Sequence, residues 1–236
     1  MHSFINKAAH KDEQVDRLEP CEEEQAAVPG SSSEEQRGPF RLSITPAEVN
    51  QLPRRVYDGR IELIRDEAGL KKALKVLRRE SVLGFDTETR PAFKKGEAYL
   101  PSLLQLAGQD GVYVFQLSQF DDLGPLFSIL EKKQILKVGV AMGYDVRKLQ
   151  ELCPFEAAGF LDLEKLTDSV GIQNNGLRKL SAIVLGFRIS KGEQRSNWAR
   201  VDLTERQLIY AATDAWVSRE IYRALIEAGA AVQVEG

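Results

Sequence analysis

The segment Val82-Leu83-Gly84-Phe85-Asp86-Thr87-Glu88-Thr89 constrains the fold more than any other stretch of this 236-residue sequence. It opens as an apolar run that reads as a buried strand and closes with two carboxylates two positions apart. Side chains alternate across a strand, so Asp86 and Glu88 project the same way. Like charges on one face of a buried strand repel each other and lose hydration, and a divalent cation between them relieves both costs. A strand end that has simply reached solvent accounts for the pair as well. The decision rests on what the remainder of the chain supplies.

Histidine narrows the chemistry. His2 and His10 are the only two, and both lie in the first forty residues. A folded region without histidine runs no Ser-His-Asp or Cys-His mechanism and builds no His-rich zinc site. Any metal there takes oxygen ligands, which selects hard ions such as Mg2+ or Mn2+.

Residues 1–40 carry four Lys/Arg against nine Asp/Glu, so with a whole-chain net charge of −3 the remainder stands at +2. This first stretch is polar, acidic and poor in aromatics, and is expected to be a disordered acidic leader. The whole-chain charge argues weakly against a nucleic-acid partner, but residues 41–236, expected to form one domain, are mildly basic and the acidity belongs to the first stretch. No apolar run is long enough to span a membrane, and the first residues lack the apolar core of a secretory signal. Cys21 and Cys153 are the only cysteines. A structural disulfide is therefore not expected, and the expected location is the cytoplasm.

Thr45-Pro46-Ala47-Glu48 predicts a short helical turn capped by Thr45. A strand at Ile61–Ile64 and a helix over 66–77, apolar at 70, 73, 74 and 77, precede the opening strand. Ser102–Ala107 and Gly111–Phe115 read as a hairpin. A helix over 123–130, a strand over 135–140, a helix over 144–152, a strand over 159–162 and a mainly helical last third follow. The order predicts one mixed-sheet α/β domain.

Two further acids stand out. Asp145 falls in the first turn of a helix, where acids complement the helix dipole and need no other reason, yet it shares the core-facing stripe. Tyr210 and Asp214 are four apart on a later helix and stack on one face; Thr204 and Gln207 cap that helix. Each of these taken singly reads as an ordinary surface or capping feature.

In order, Gly-Phe-Asp-x-Glu on a strand, Gly143-Tyr144-Asp145 opening a helix and Tyr210-x-x-x-Asp214 on a late helix resemble the three motifs of the DEDD superfamily of 3′–5′ exonucleases. Tyr210 marks the DEDDy branch. The segments Pro101-Ser102-Leu103-Leu104-Gln105-Leu106-Ala107, Val138-Gly139-Val140, Ser196-Asn197-Trp198 and Leu203–Ala215 resemble most the exonuclease domain of the Werner syndrome helicase and its bacterial stand-alone relatives, with RNase D more distant. The resemblance covers roughly residues 53–228. It departs at Ala141-Met142-Gly143, where many members carry a polar pair such as Asn-His.

The resemblance implies a ribonuclease H-like mixed sheet flanked by helices. It implies catalysis by Asp86, Glu88, Asp145, Tyr210 and Asp214, the four carboxylates holding two Mg2+ or Mn2+ ions about 3.5–4 Å apart. Four carboxylates against two divalent ions balance in charge, and Tyr210 would orient the attacking water. The implied substrate is nucleic acid with a free 3′ end, the implied products nucleoside 5′-monophosphates and the implied setting DNA repair. RNase D enzymes usually add helical C-terminal domains, and with this sequence ending at Gly236 the expectation is DNA rather than RNA. Thr87, Leu103, Leu104, Arg195 and Trp198 are expected at the substrate, with Trp198 stacking on a base or serving as core. Arg90, Lys94, Lys95, Lys191 and Arg200 are further possible phosphate contacts. Two other readings are weighed: a catalytically inactive nucleic-acid-binding module, and a dinucleotide-binding domain, which no GxGxxG after a strand supports. No GxxxxGK[ST] loop of a helicase motor is present.

Overall fold

The computed structural model describes residues 39–231. The expected leader, apart from Pro39 and Phe40, lies outside the described residues, as do His2, His10 and Cys21. Phe40 packs against one of the core clusters of the folded unit.

Thr45 caps α1 (Pro46–Gln51) in a full capping box with Glu48. Strand β1 (Ile61–Ile64) and helix α2 (Glu67–Leu77) follow, with Asp66 as N-cap and Leu70, Ala73, Leu74 and Leu77 on the buried face. Next come β2 (Val82–Glu88), β3 (Leu103–Ala107), β4 (Val112–Gln116), α3 (Gly124–Phe127), β5 (Leu136–Gly139), α4 (Gly143–Leu152), β6 (Phe160–Asp162) and α5 (Leu163–Asp168). Helix α6 (Leu177–Leu180) runs into a wide π turn over Ser181–Leu185, and the 23-residue α7 (Glu205–Glu227) closes the described chain. The helix expected over 123–130 is shorter than its apolar spacing suggests. Beyond Phe127 the amides of Ile129 and Leu130 bond three residues back, to Leu126 and Phe127, which tightens the segment into turns.

The strands form one sheet in the order β1-β4-β3-β2-β5-β6. Strand β3 is antiparallel to β2 and β4, while β1–β4, β2–β5 and β5–β6 are parallel. The mixed sheet with helices on both faces matches the α/β class read from the sequence. One face (Leu83, Phe85, Leu104, Leu106, Phe115) packs with Leu70, Leu74 and Leu77 of α2, Phe127 and Leu149. The opposite face (Leu103, Ala107, Val112, Val114) meets Trp198 and the alanines Ala211, Ala212 and Ala215 of α7. Fully burying each large aliphatic or aromatic side chain contributes roughly 1.5–3 kcal/mol, so both layers are needed to hold the sheet. Among the described residues no helix is long and apolar enough to cross a membrane.

Lys137 is the exception to an apolar β5. It is fully buried, and its ammonium donates to the carbonyls of Lys132 (2.9 Å) and Ile135 (2.8 Å). Burial pulls its pKa down to about 8.

Candidate active site

Strand β2 and helix α7 build the site between them. Gly84, Asp86 and Glu88 share the face of β2 that α7 covers, and Asp86 stands directly opposite Gln105 of β3. Thr204 and Gln207 start α7 with a complete capping box, which fixes where its third turn, and hence Asp214, arrives. The carboxylates of Asp86, Glu88 and Asp214 each offer an oxygen, and the three oxygens lie within 4.8 Å of one another. Glu88 and Asp214 are each only 8% exposed. One oxygen of Asp214, Oδ1, is buried without a hydrogen-bond partner.

Such a cluster is electrostatically unfavourable by itself. Burial, then the charges of Asp214 and Asp145, hold the Asp86 carboxyl well above the usual range. Burial, then Asp86, Asp214 and Asp145, do the same to Glu88. Burial pushes Asp214 up to about 7, against the opposing influence of the Tyr210 hydroxyl. Tyr210 is itself raised far above a free phenol, first by burial and then by Asp214, Glu88 and Asp86, so its hydroxyl keeps its proton. A divalent cation fits this set: the donors are oxygen only, one is unpartnered, and the positive charge removes the repulsion.

Asp145 stands outside the three-carboxylate group. Its Oδ1 accepts a 2.8 Å hydrogen bond from Thr87 Oγ1, which leaves β2 on the side opposite Asp86 and Glu88. Burial raises Asp145 and this bond lowers it. The turn leading to it contains Ala141 at φ 54°, the only described non-glycine residue with positive φ. The Ala141 amide donates to Asp162 Oδ1 at 3.2 Å.

Asp86, Glu88 and Asp214, but not Asp145, line a cavity of about 280 Å³ together with Thr87, Val140, Leu177, Gln194, Tyr210 and Ser218. A second, of about 350 Å³, reaches Tyr210 and Asp214 from the side of α1, Arg178, Lys179 and Lys191. Gln194, Ser218, Arg178 and Lys179 were not among the sequence-derived candidates. Arg178-Lys179 follows Asn174-Asn175-Gly176, and a basic pair after a turn signal was the available clue.

Three expected substrate contacts are corrected. Trp198 is fully buried and packs in the core beside Leu103 and Ala211, its ring 5.9 Å from that of Tyr210. It cannot stack on a base. The loop is drawn inward because Gln207 Nε2 donates to Ser196 Oγ (2.9 Å) and to the Asn197 carbonyl (3.3 Å). Leu103 and Leu104 are also fully buried: adjacent on an interior strand, they enter opposite core layers. Arg195 is exposed and lines none of the three cavities that reach Tyr210. Of the possible phosphate contacts, Lys191 borders the larger cavity, whereas Arg90 lies over the Tyr99 ring at 4.2 Å.

A family model described as 3′–5′ exonuclease matches residues 61–229. The chain is 35% identical over 162 residues to the mouse (Mus musculus) bifunctional 3′–5′ exonuclease/ATP-dependent helicase WRN, covering 65% of this chain and 11% of that protein. It is 32% identical over 169 residues to ribonuclease D of Gluconacetobacter diazotrophicus, covering 70% and 42%. Among solved structures, the Aedes aegypti Nibbler EXO domain superposes with a TM-score of 0.67 at 27% identity, covering 73% of this chain and 91% of that one. The chain spans less than half the length of the full-length relatives it matches.

Proposed function

The chain belongs to the 3′–5′ exonuclease family, and from that premise we propose that it hydrolyses phosphodiester bonds of single-stranded DNA from the 3′ end, releasing nucleoside 5′-monophosphates. The observation that carries this reading is the convergence of Asp86, Glu88 and Asp214 within 4.8 Å, beside Tyr210 and open to a cavity.

Asp86, Glu88 and Asp214 would hold a divalent cation, Mg2+ or Mn2+, and Asp145, bonded to Thr87, would serve a second ion as the family resemblance implies. When bound, the ions lower the pKa of water and neutralise charge on the phosphate and the leaving oxygen. The protein's own groups do the rest. Tyr210, kept protonated, presents a hydroxyl that orients the attacking water rather than removing its proton. Thr87 fixes one Asp145 oxygen, Oδ1, through its hydroxyl. Burial of Glu88 and Asp214 limits competing water, so attraction for a cation is stronger there than at the surface.

DNA is assigned on the Werner-like segments around Gly84-Phe85-Asp86, Pro101–Ala107 and Ser196-Asn197-Trp198. The ribonuclease D relative supports the same chemistry on RNA as the competing reading. Incubation of 5′-labelled DNA and RNA single strands with Mg2+ or Mn2+ separates them. A ladder shortening from the 3′ end on DNA, absent in Asp86→Ala, is expected. A faster ladder on RNA would reassign the substrate, and binding without cleavage of either would make the chain an inactive binding module.

A further inference from the structure

The cavity of about 350 Å³ beside Tyr210 is lined by three cations and one acid. Arg178, Lys179 and Lys191 line it, and Asp214 at its inner end is the one acid of its wall. Arg178 is held by a neutral group: its Nη2 donates to Asn50 Oδ1 at 2.6 Å, and its Nε is buried without a partner. Lys179 and Lys191 pair with no carboxylate among the described residues. A partly buried guanidinium normally takes a carboxylate, because desolvating an uncompensated charge is costly. Its fork geometry suits a phosphate that arrives with the substrate.

Part of the cavity wall comes from outside the matched family region. Pro46 and Val49 of α1 line it and precede residue 61, and Asn50 of the same helix bonds Arg178. The segment is fastened to the body at several points. Ile44 N donates to Asn174 Oδ1, Gln173 N to the Leu42 carbonyl, Arg188 Nε to the Leu52 carbonyl at 3.0 Å, and Tyr57 N to Thr213 Oγ1 at 2.9 Å. The cavity's volume lies at the small end of ligand-binding sites, roughly 300–1,000 Å³, and suits one nucleotide unit.

We propose that Arg178, with Lys179 and Lys191, forms a phosphate subsite for the nucleotide immediately upstream of the scissile bond, and that Asn50 of α1 is the positioning residue that holds Arg178 in place without neutralising it. The proposal rests on the exonuclease reading for the identity of the strand but not for the presence of the anion site.

The test uses the full chain, Arg178→Met and Asn50→Asp. Binding of a fluorescein-labelled single strand is followed by anisotropy with Ca2+ in place of Mg2+, across a salt series. Hydrolysis is followed on the same strand and on thymidine 5′-monophosphate p-nitrophenyl ester, which has no upstream phosphate. Arg178→Met is expected to weaken strand binding about tenfold, as for loss of about 1.4 kcal/mol, and to make the salt slope shallower by about 0.7. Ester hydrolysis stays within about twofold. Asn50→Asp, which sets a carboxylate against the guanidinium, is expected to reproduce the binding loss with an unchanged melting temperature. Unchanged affinity and salt slope in both variants, or a parallel loss on strand and ester, overturns the subsite. If the unaltered chain hydrolyses neither substrate, the exonuclease reading fails, while the anisotropy comparison still decides the anion site.

Discussion

Gly84 of β2 and Ala215 of α7 meet backbone against backbone: a methyl group on Gly84 would overlap the Ala215 carbonyl and press on the Arg219 stem. This close approach brings Asp214, one residue before Ala215, down to Asp86, two residues after Gly84. The obstruction is main chain and cannot rotate aside. Gly84→Ala is therefore expected to destabilise by about 1–3 kcal/mol, near the upper end, and to widen the carboxylate cluster. Thermal melting is expected to fall by several degrees and nuclease activity by more than the folded fraction accounts for. An unchanged melting temperature with full activity contradicts the stated packing.

The raised carboxylates make a pH prediction for metal-free protein. Their folded pKa values exceed the unfolded ones near 4, so the folded state binds more protons between the two. Stability from this source is present below about pH 4 and is lost as pH rises through the folded values, up to about 7 for Asp214. Thermal melts of metal-free protein are expected to show this decline on the neutral side, and Mn2+ to reverse it. Asp214→Asn removes one charge and is expected to raise the metal-free melting temperature at pH 8 by roughly 3–6 °C, the shift that about 1–2 kcal/mol gives in a domain of this size, while abolishing hydrolysis. A lower melting temperature in Asp214→Asn contradicts the repulsion.

Thr87 touches Asp145 through one hydroxyl bond and makes no other polar contact with its side chain. Thr87→Val keeps the shape and removes the donor. Partners that orient a ligand carboxylate typically matter 10- to 100-fold, so kcat is expected to fall by about that factor, with Thr87→Ser restoring most of it. Equal activity in Thr87→Val and the unaltered chain, measured on the labelled strand, removes Thr87 from this role.

Ala141 holds a left-handed backbone that costs an alanine roughly 1–2 kcal/mol. Asparagine tolerates that conformation better, and the position is exposed. Ala141→Asn is expected to stabilise by up to about 1 kcal/mol, visible as a rise in urea midpoint at constant m-value. A lower midpoint means that the strain lies elsewhere.

Spacing put Asp86 with Glu88 and Tyr210 with Asp214 on shared faces, but each pair alone also had an ordinary reading; the order of the three segments, through the resemblance to the exonucleases, joined them into one site. The layers were legible because their signal is local, with α2 and α7 announced by caps and apolar spacing. Depth was not. Leu103 and Leu104 read as a strand, but nothing local says that β3 has neighbours on both sides and helices on both faces. Trp198 shows the same limit. The Thr204–Gln207 capping box is visible in the sequence, whereas the second task of Gln207, drawing the 196–197 loop inward, depends on a contact eleven residues back. The subsite around Arg178 joins residues 128 positions apart through Asn50, a separation no spacing rule reaches.

Strand β2 lies between β3 and β5, bonded along both edges, whereas α4 starts at a turn without a side-chain cap. Hydrogen-exchange protection should divide along that line. The amides around Asp86 are released only when the whole sheet opens, and those around Asp145 by local fraying. Warming is then expected to release Asp145, the fourth carboxylate of the proposed site, first. Inactivation is expected to precede melting and to reverse on cooling without refolding, because what would be lost is one arm of the proposed site while its floor stays intact.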